Sequence, residues 1–293
     1  MARDETPFRR TFAAFFAEPS AVVAVGLLAM MLLCALALPL FSPQNPFALA
    51  RPEMLEARLP PASPANGGGT FWLGTDDQGR DLVWAIVYGL RTSFEVGLSS
   101  VLIALAIGLG LGIGAACLGG RSEGALMCIA GLQLSFPAFL IALLLLALLG
   151  PGIGSVIAAL AVAQWARYAH AACDAARAEL GKQYVEAARC LALSPARVWL
   201  GHLVPNCLPP LCVAAIVQVG VAMALEATLS FLGLGVSSGE PSLGLLIAGG
   251  YRDLHSSAYW VSFFPGVALV LAIVSVNLVA NRLRIILAPG AQR

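Results

Sequence analysis

Two short polar segments interrupt an otherwise apolar chain, and the residues of one suit a docking surface. Asp174–Leu180 and Tyr184–Leu191 combine Asp, Glu and Arg with the strong helix formers Ala and Leu. Helices with such alternating basic and apolar residues are suited to docking in a groove of a soluble protein. These residues are equally compatible with a solvated connector whose charges only set membrane topology, so both interpretations stay open at this point.

The second polar segment is Gly74–Asp81, which contains three carboxylates and one arginine. One interpretation is a capped start to an amphipathic helix over Leu82–Phe94, with local ion pairs each contributing about 0–1 kcal/mol. The other is an outer gate or a dock for a delivery protein. Nothing in the segment itself separates the two.

The residue types needed for catalysis or cofactor binding are not arranged for either. The histidines are scattered without an HExxH pattern, and the seven cysteines contain no CxxC pair, which argues against zinc and against disulfides. The chain contains no phosphate-binding GxxxxGK[ST] motif, and its Gly181–Lys182 pair is followed by Gln183. We expect no enzyme activity, no cofactor and no metal in this chain. Any process in which it takes part that requires energy must therefore be driven by a partner or by an ion gradient.

The elements that position these segments are membrane spans. The 293 residues are 59% hydrophobic and 11% charged, whereas soluble domains carry about 25% charged residues. A span requires about 20 consecutive apolar residues. The sequence predicts an all-α membrane protein with six transmembrane helices at Ala21–Phe41, Glu95–Leu118, Ala125–Leu149, Ile153–Tyr168, Leu203–Leu225 and Trp260–Ala280.

The distribution of basic residues predicts the orientation of these spans. With the N-terminus inside, twelve of the seventeen lysines and arginines lie on the cytoplasmic side, as the positive-inside rule requires. Both termini are therefore predicted to be cytoplasmic, and the first apolar stretch is interpreted as a retained span because it is too long for a signal peptide. No lysine- or arginine-rich block indicates nucleic-acid binding.

Polar residues within or beside the spans are candidates for pore lining or for packing. Glu95 opens the second span and Glu226 ends the fifth, where each could face a pore or simply extend to the membrane surface. Gln133 and Gln218 could line a pore, although interhelical hydrogen bonds are the simpler role. Pairs of glycines four residues apart, Gly108/Gly112 and Gly110/Gly114, predict close approach of neighbouring helices.

The polar segment before the fifth span is predicted to form two helices joined by a turn near Ala192–Ser194. Ser194 suits the N-cap position and Pro195 the first helical position of the second helix. That helix leads through Val198 and Trp199 into the fifth span, where Pro205 and the following prolines are expected to kink or restart the chain.

At these residues a resemblance appears. Tyr184–Arg189 (YVEAAR), followed by Leu203–Asn206 (LVPN), resembles the EAA loop of permease subunits of ATP-binding-cassette importers. Leu73–Asp81, Phe136–Pro137 and Glu226–Val236 resemble segments of the dipeptide, oligopeptide and nickel branch of these permeases. Their order and spacing are similar to the C-type member of the permease pair. The resemblance extends from Trp72 to the C-terminus, and the first span fits more loosely.

The resemblance implies a type I importer transmembrane domain in the bacterial inner membrane and assigns roles to residues. The pore or packing residues remain Glu95, Gln133, Gln218 and Glu226. The ATPase-coupling loop would comprise Tyr184, Glu186, Ala187, Ala188, Arg189, Ala192, Ser194 and Pro195. The periplasmic signature and possible gate would comprise Gly74, Thr75, Asp76, Gly79, Arg80 and Asp81. The chain would then divide into a cytoplasmic tail (1–20), a first span (21–41), a periplasmic insert with the amphipathic helix (42–93), a permease core (94–281) containing the coupling loop (169–202), and a second cytoplasmic tail (282–293).

The resemblance also implies partners and a substrate class. The partners would be a second homologous permease, two ATPase subunits that bind ATP and Mg²⁺, and a periplasmic solute-binding protein. The expected cargo is a short peptide, with nickel or a metal chelate as the alternative, and a secondary transporter driven by an ion gradient is the alternative of a different class. Two residues depart from the family pattern. Ala192 occupies a turn position where glycine is usual, and Gly201 precedes His202 where arginine is frequent.

Overall fold

The computed structural model describes residues 16, 18–41, 56–65, 68–191, 193–237, 239–251 and 258–287. In these ranges the chain is mostly α-helical, as predicted, with one antiparallel pair of two-residue strands, β1 and β2. The elements are α1 (Pro19–Phe41), β1 (Ser63–Pro64), β2 (Thr70–Phe71), α2 (Leu82–Leu118), α3 (Gly120–Leu134), α4 (Ala138–Leu149), α5 (Ile153–Leu180), α6 (Gln183–Cys190), α7 (Pro195–Val198), a π-helical turn (Trp199–Leu203), α8 (Val204–Phe231), α9 (Leu243–Tyr251) and α10 (Trp260–Leu287).

Four helical runs in the described residues are long and apolar enough to cross a membrane. They are α1, α2, the run Trp199–Phe231 that contains α8, and α10, and the bent pair α3–α4 makes a fifth if it is one span. The predicted fourth span, Ile153–Tyr168, lies within α5. That helix has 28 residues, which is long enough to cross a membrane, but it is less apolar than the four runs above. The count of six spans therefore stays a prediction.

The predicted amphipathic helix and the predicted second span form one continuous helix in the structure. Leu82–Leu118 is one helix of 37 residues that passes through Phe94 and Glu95 without a break. No proline lies near Phe94 and Glu95, and the helix caps are at Asp81 and Gly119, so the helical hydrogen bonds continue through these residues. The division between an insert ending at 93 and a core beginning at 94 consequently falls inside a helix.

The predicted third span, in contrast, is broken. Its two halves, α3 and α4, are bent by 88° relative to each other across Ser135–Pro137. Pro137 has no backbone N–H to donate, and its ring clashes with the carbonyl group four residues earlier when a helix continues through it. The block predicted at Ala125–Leu149 is therefore divided at Pro137 into two helices.

Helices α2 and α5 pack against each other along a seam of small residues. A Cβ atom added to Gly108 would lie 2.4 Å from the Tyr168 Cβ, and one added to Gly112 would lie 2.3 Å from the Ala169 carbonyl oxygen. The prediction of close helix approach is therefore confirmed for this pair of glycines. It is wrong for Gly110, where an added Cβ meets no atom within 4 Å.

Ion pairs and packing define two opposite ends of the helix bundle. Glu18, which precedes α1, accepts a hydrogen bond from Arg282 near the end of α10 at 2.6 Å, so these two helix ends share one face. The start of α10 lies at the other end, where the Trp260 indole donates to the Thr75 carbonyl just before α2. The face holding Glu18 and Arg282 is predicted to be cytoplasmic.

Candidate functional site

The helix α6 carries the predicted coupling motif, and one side of it is anchored to the protein. Val185 and Ala188 lie three residues apart, so they share one face of the helix. Both are buried, with 0% and 4% of their surfaces exposed, and they pack with Val198 of α7. Leu180, Tyr184 and Leu193 complete this apolar cluster. We call the assembly of α6, α7 and the adjoining end of α5 the coupling face.

A set of hydrogen bonds ties three helices together at the coupling face. Glu179 at the end of α5 accepts from the Tyr184 hydroxyl of α6 at 2.7 Å and from Lys182 at 2.6 Å. Asn206 of α8 donates to the Tyr184 oxygen at 3.3 Å and to the His202 carbonyl at 2.7 Å. Tyr184 is thus the residue through which α5 and α8 are linked across α6.

These contacts change the protonation of two side chains in the coupling face. Hydrogen bonds from Lys182 and Tyr184 lower the pKa of Glu179, so its carboxylate stays charged near neutral pH. Desolvation, and then the hydrogen bond to Glu179, raise the pKa of Tyr184 to about 12. Its hydroxyl group therefore remains a donor throughout the physiological range.

The opposite side of α6 has no partner in the described chain. Glu186 and Ala187 are exposed, and Leu191 just beyond the helix is 74% exposed. Leu200 in the π-helical turn is 72% exposed on the same connection. Exposed leucines next to a helix whose other face is anchored form a surface suited to contact with another protein.

The turn between the two short helices lies close to where the sequence placed it. Helix α6 ends at Cys190, and α7 begins at Pro195. The Ser194 carbonyl oxygen accepts hydrogen bonds from the backbone N–H groups of Arg197 and Val198, which places Ser194 at the N-cap. Ala192 lies outside the described residues, and so do the side chains of Arg189 and Pro195.

At the other end of the molecule, the signature segment folds into a small unit that we call the outer cap (56–65 and 68–81). The Thr75 hydroxyl donates to the Glu56 carbonyl at 2.6 Å and accepts from the Leu59 N–H at 2.8 Å. The fully buried Asp76 carboxylate accepts from the N–H groups of Gln78 and Arg80 at 2.9 Å, and from the Arg80 guanidinium at 2.6 Å. Thr75 and Asp76 thus form the polar core of the outer cap.

Gly74, Gly79 and Asp81 fit the outer cap against the helices. Gly74 has φ +83° and approaches Leu59 so closely that an added Cβ would lie 2.5 Å from its carbonyl oxygen. Gly79, with φ +78°, closes the turn between Asp76 and α2. The Asp81 carboxylate accepts from the Val83 N–H at 2.9 Å and caps α2, while burial raises the pKa of this carboxyl group.

A buried carboxyl group lies below the outer cap. Glu226 of α8 is 0% exposed and accepts hydrogen bonds from three serine hydroxyls, each at 2.9 Å. The donors are Ser93 of α2, Ser230 one turn further along α8, and Ser242 immediately before α9. We call these four residues the serine–glutamate cluster. Glu226 does not extend to the membrane surface, which was one of the roles that the sequence allowed.

An open pocket of about 270 Å³ separates the outer cap from α9. Ser230 and Ser242 of the serine–glutamate cluster form part of its wall, and α9 forms another part. The charged residues lining it are Asp77, Arg80 and Glu240. The pocket is therefore bounded on one side by the signature segment and on the other by a helix whose start is bonded to Glu226.

The other candidate pore residues are separated in the structure. Glu95 is exposed on α2 and does not join the serine–glutamate cluster. The Gln133 side-chain amide donates to the Val162 carbonyl and so links α3 to α5, which is the interhelical role. Gln218 of α8 is buried, and its amide nitrogen has no hydrogen-bond partner among the described residues.

Comparison with known proteins identifies the family of this chain. Residues 106–293 match the model of the binding-protein-dependent transport system inner membrane component. Residues 6–61 match the N-terminal transmembrane domain of oligopeptide transport permease C. The chain belongs to this permease family. The permease is 34% identical to the di/tripeptide transport system permease protein DppC of Pseudomonas aeruginosa, over 90% of this chain and 86% of the relative.

Further relatives of the permease cover nearly its whole length. It is 34% identical to the dipeptide transport system permease protein DppC of Escherichia coli K12, over 97% of this chain and 93% of the relative. It is also 34% identical to the probable D,D-dipeptide transport system permease protein DdpC of the same organism, over 94% and 89%. An inward-facing methionine ABC transporter structure, MetNI, has a TM-score of 0.57 at 19% identity, covering 70% of this chain and 97% of that chain. That likeness identifies the type I importer transmembrane fold.

Helix α9 and two serines of the serine–glutamate cluster were not predicted from the sequence. Helix α9 was not predicted because its nine residues are too few for a span, although its composition is apolar. Ser93 and Ser242 were not recognised because a single serine near a span carries no signal of its own. The motif Glu226–Val236 was recognised, but the sequence did not indicate that its glutamate would meet hydroxyl groups from α2 and from the start of α9.

Proposed function

We propose that this chain is one pore subunit of an ATP-driven importer of short peptides. The observation that carries the proposal is the coupling face, in which one side of α6 is anchored by Val185 and Ala188 while Glu186 and Leu191 are exposed. Such an arrangement presents a firmly held helix to a soluble partner. The partners we infer are two ATPase subunits, which would bind ATP and Mg²⁺, because this chain contains no phosphate-binding motif of its own.

The remaining partners follow from the family and from the structure. A second, homologous permease would complete the pore, and a periplasmic solute-binding protein would deliver the cargo to the face that carries the outer cap. The location we infer is a bacterial inner membrane with the coupling face in the cytoplasm. ATP-driven closure of the ATPases would then shift the population between inward- and outward-facing states through α6.

Short peptides are the cargo that the relatives support. The relatives compared above are named for dipeptides, tripeptides or D,D-dipeptides. Nickel or a metal chelate is the less favoured cargo, since none of these relatives carries such a name. A secondary transporter driven by an ion gradient is not favoured either, because the family is defined by dependence on a binding protein.

Transport by the complete complex tests the proposal. The permease is co-expressed with its neighbouring transport genes, purified through a tag, and reconstituted in proteoliposomes. ATP is enclosed inside the liposomes, and the binding protein is present only outside. We expect an ATPase and a second permease to co-purify, and dipeptide uptake to require ATP and to survive collapse of the proton gradient. Uptake that persists without ATP and stops when the gradient collapses contradicts the proposal.

A charge reversal on α6 tests the role of the coupling face. Glu186→Lys is expected to uncouple ATP hydrolysis from uptake while leaving membrane insertion intact, because it reverses the charge on the exposed side of an anchored helix. Arg121→Glu is the matched control, since it also reverses the charge of an exposed side chain, but Arg121 lies on α3, outside the coupling loop. Equal uptake by both variants and the wild type would remove Glu186 from the coupling role.

A further inference from the structure

Glu226 has three hydrogen-bond donors from separate parts of the chain. Ser93 belongs to α2, Ser230 to α8, and Ser242 to the segment that enters α9. A carboxyl group that is fully buried needs such donors, because hydroxyl groups replace the water that it has lost. The arrangement therefore stabilises Glu226 only when all three segments are held together.

The two serines on the pocket side are themselves fixed to the backbone. The Ser242 oxygen accepts from the Gly244 N–H at 3.1 Å in the first turn of α9, and the Ser230 oxygen accepts from the Val236 N–H at 3.4 Å. The start of α9 also lies directly on α8, since a Cβ added to Gly244 would be 2.2 Å from the Ala227 carbonyl oxygen. The connection from α8 to α9 is thus fastened at both of its ends to one carboxyl group.

Helix α8 joins this cluster to the coupling face. Its 28 residues begin directly after the π-helical turn that follows α7, and at 1.5 Å per residue they span about 40 Å. Val198 of α7 packs on Val185 of α6, and Asn206 of α8 bonds Tyr184. These contacts connect α6 to the start of α8, and Glu226 is located near the far end of the same helix.

We propose that Glu226 is a positioning residue that makes α9 move with α8 and α2, so that the wall of the outer pocket follows the coupling face. This inference rests on the proposed import function. Without the serine–glutamate cluster, α9 would keep its packing and the hydrogen bond from Ser262 of α10 to the Ile247 carbonyl, but it would lose its hydrogen-bonded link to Glu226 of α8, and the pocket could open independently of α8. With it, motion at α6 becomes motion of the pocket wall.

The direct test measures whether α9 and α2 keep a constant separation. In a cysteine-free background, spin labels are placed at Leu98→Cys on α2 and Ala248→Cys on α9, and pulsed electron paramagnetic resonance is recorded for the complete complex with and without ATP. We expect one narrow distance distribution in both states. Ser242→Ala, which removes a single bond between α9 and Glu226, is expected to broaden it.

The matched control is Ser275→Ala, because Ser275 is equally buried but bonds the Leu271 carbonyl within its own helix, α10. A conservative replacement provides rescue. Glu226→Gln keeps one carbonyl oxygen to accept from Ser230 and Ser242, so its distance distribution is expected to stay narrow, whereas Glu226→Ala broadens it. The proposal is wrong if Ser242→Ala and Ser275→Ala give the same distribution.

Coupling provides the functional readout. The number of peptides imported per ATP hydrolysed is expected to fall about tenfold in Glu226→Ala and to stay within about twofold of wild type in Glu226→Gln. If Glu226→Ala does not assemble, Ser242→Ala decides the question, with a smaller fall than Glu226→Ala and none for Ser275→Ala. A ratio for Ser242→Ala equal to that of Ser275→Ala overturns the proposal. Absence of ATP-driven uptake by the wild type contradicts the import function instead, and the distance measurement still tests Glu226.

Discussion

The coupling face and the serine–glutamate cluster lie at opposite ends of α8, and they are held by different forces. The coupling face depends on a small apolar cluster and on the Lys182–Glu179 pair, whose lysine side chain is 55% exposed. Exposed ion pairs contribute about 0–1 kcal/mol, so the apolar cluster provides most of the anchoring of α6. The cluster around Glu226 is fully buried, and loss of one of its hydroxyl groups leaves a polar group unpaired in an apolar environment.

The comparison indicates that the two ends of α8 have different roles. At the coupling face, the residues proposed to contact a soluble partner are exposed, while a small buried apolar cluster anchors α6 behind them. The serine–glutamate cluster has few interactions, but each is buried, so the loss of one partner leaves an unsatisfied polar group. Breaking an interaction at the coupling face is expected to change binding, whereas breaking one at the cluster is expected to change how parts of the permease move together.

The largest expected effect concerns the sidedness of the two ends. Cys190 is exposed on α6, and Trp72 is 75% exposed in the outer cap. With the other cysteines replaced, a membrane-impermeant maleimide added to right-side-out vesicles is expected to label Trp72→Cys and not Cys190. Inside-out vesicles are expected to give the reverse pattern, and labelling of Cys190 from outside contradicts the predicted orientation.

The next effect concerns the rigidity of the outer cap. Gly74→Ala places a Cβ against the Leu59 carbonyl oxygen at a positive φ, and we expect a destabilisation of about 3 kcal/mol. Gly68→Ala is the control, because Gly68 has φ +87° but no atom near its added Cβ. Thermal unfolding of the purified protein, followed by tryptophan fluorescence, measures both. Equal melting temperatures for the two variants show that the close approach to Leu59 does not support the cap.

A smaller effect separates anchoring from docking at the coupling face. Val185→Ala removes buried methyl groups and is expected to destabilise the attachment of α6 by about 1–2 kcal/mol, which increases amide hydrogen exchange in α6 about tenfold. Leu191→Ala changes an exposed side chain, so exchange in α6 is expected to stay the same while retention of the ATPase in pull-down falls. Unchanged exchange in Val185→Ala means that the apolar cluster does not anchor α6.

The smallest effect is expected for Tyr184→Phe. It removes the hydroxyl group between Glu179 and Asn206, and the loss of about 1 kcal/mol predicts at most about a fivefold fall in coupled uptake. The raised pKa of Tyr184 favours its neutral form in the folded protein, so this stabilisation is fully present below pH about 10 and is lost at higher pH. Uptake between pH 6 and 9 should therefore show no titration of Tyr184. A fall as large as that of Glu226→Ala contradicts the contrast between the two ends.

The sequence allowed prediction of elements whose cause is local. The bounds of α1 were predicted almost to the residue, because lipid requires an uninterrupted apolar helix and the surrounding prolines mark its ends. The start of α7 at Pro195 was predicted because Ser and Pro favour a helix N-terminus wherever they occur together. The 88° bend between α3 and α4 has a local cause as well, because Pro137 cannot continue the helix, but the apolar composition of this region indicated a single span.

Other features depend on contacts that no local pattern reports. Of the glycine pairs in α2, Gly108 and Gly112 face α5 whereas Gly110 does not, and only the direction of each residue in the packed bundle distinguishes them. Similarly, α9 is short and would not be stable in isolation. Its packing on α8 and α10, the hydrogen bond from Ser262 of α10 to the Ile247 carbonyl and the hydrogen bond from Ser242 to Glu226 give it a defined position.

By itself, the sequence determined that the chain lies in a membrane, that it lacks an ATP-binding motif, and that Glu186 belongs to a helix resembling the ATPase dock of importer permeases. These properties follow from composition and from motifs with local spacing. Only the tertiary structure decided that Ser93 meets Glu226 across 133 residues of sequence and that Ser242 joins them. The physical reason is that a buried carboxyl group is satisfied by whichever donors the packed helices bring to it, and packing depends on the whole chain.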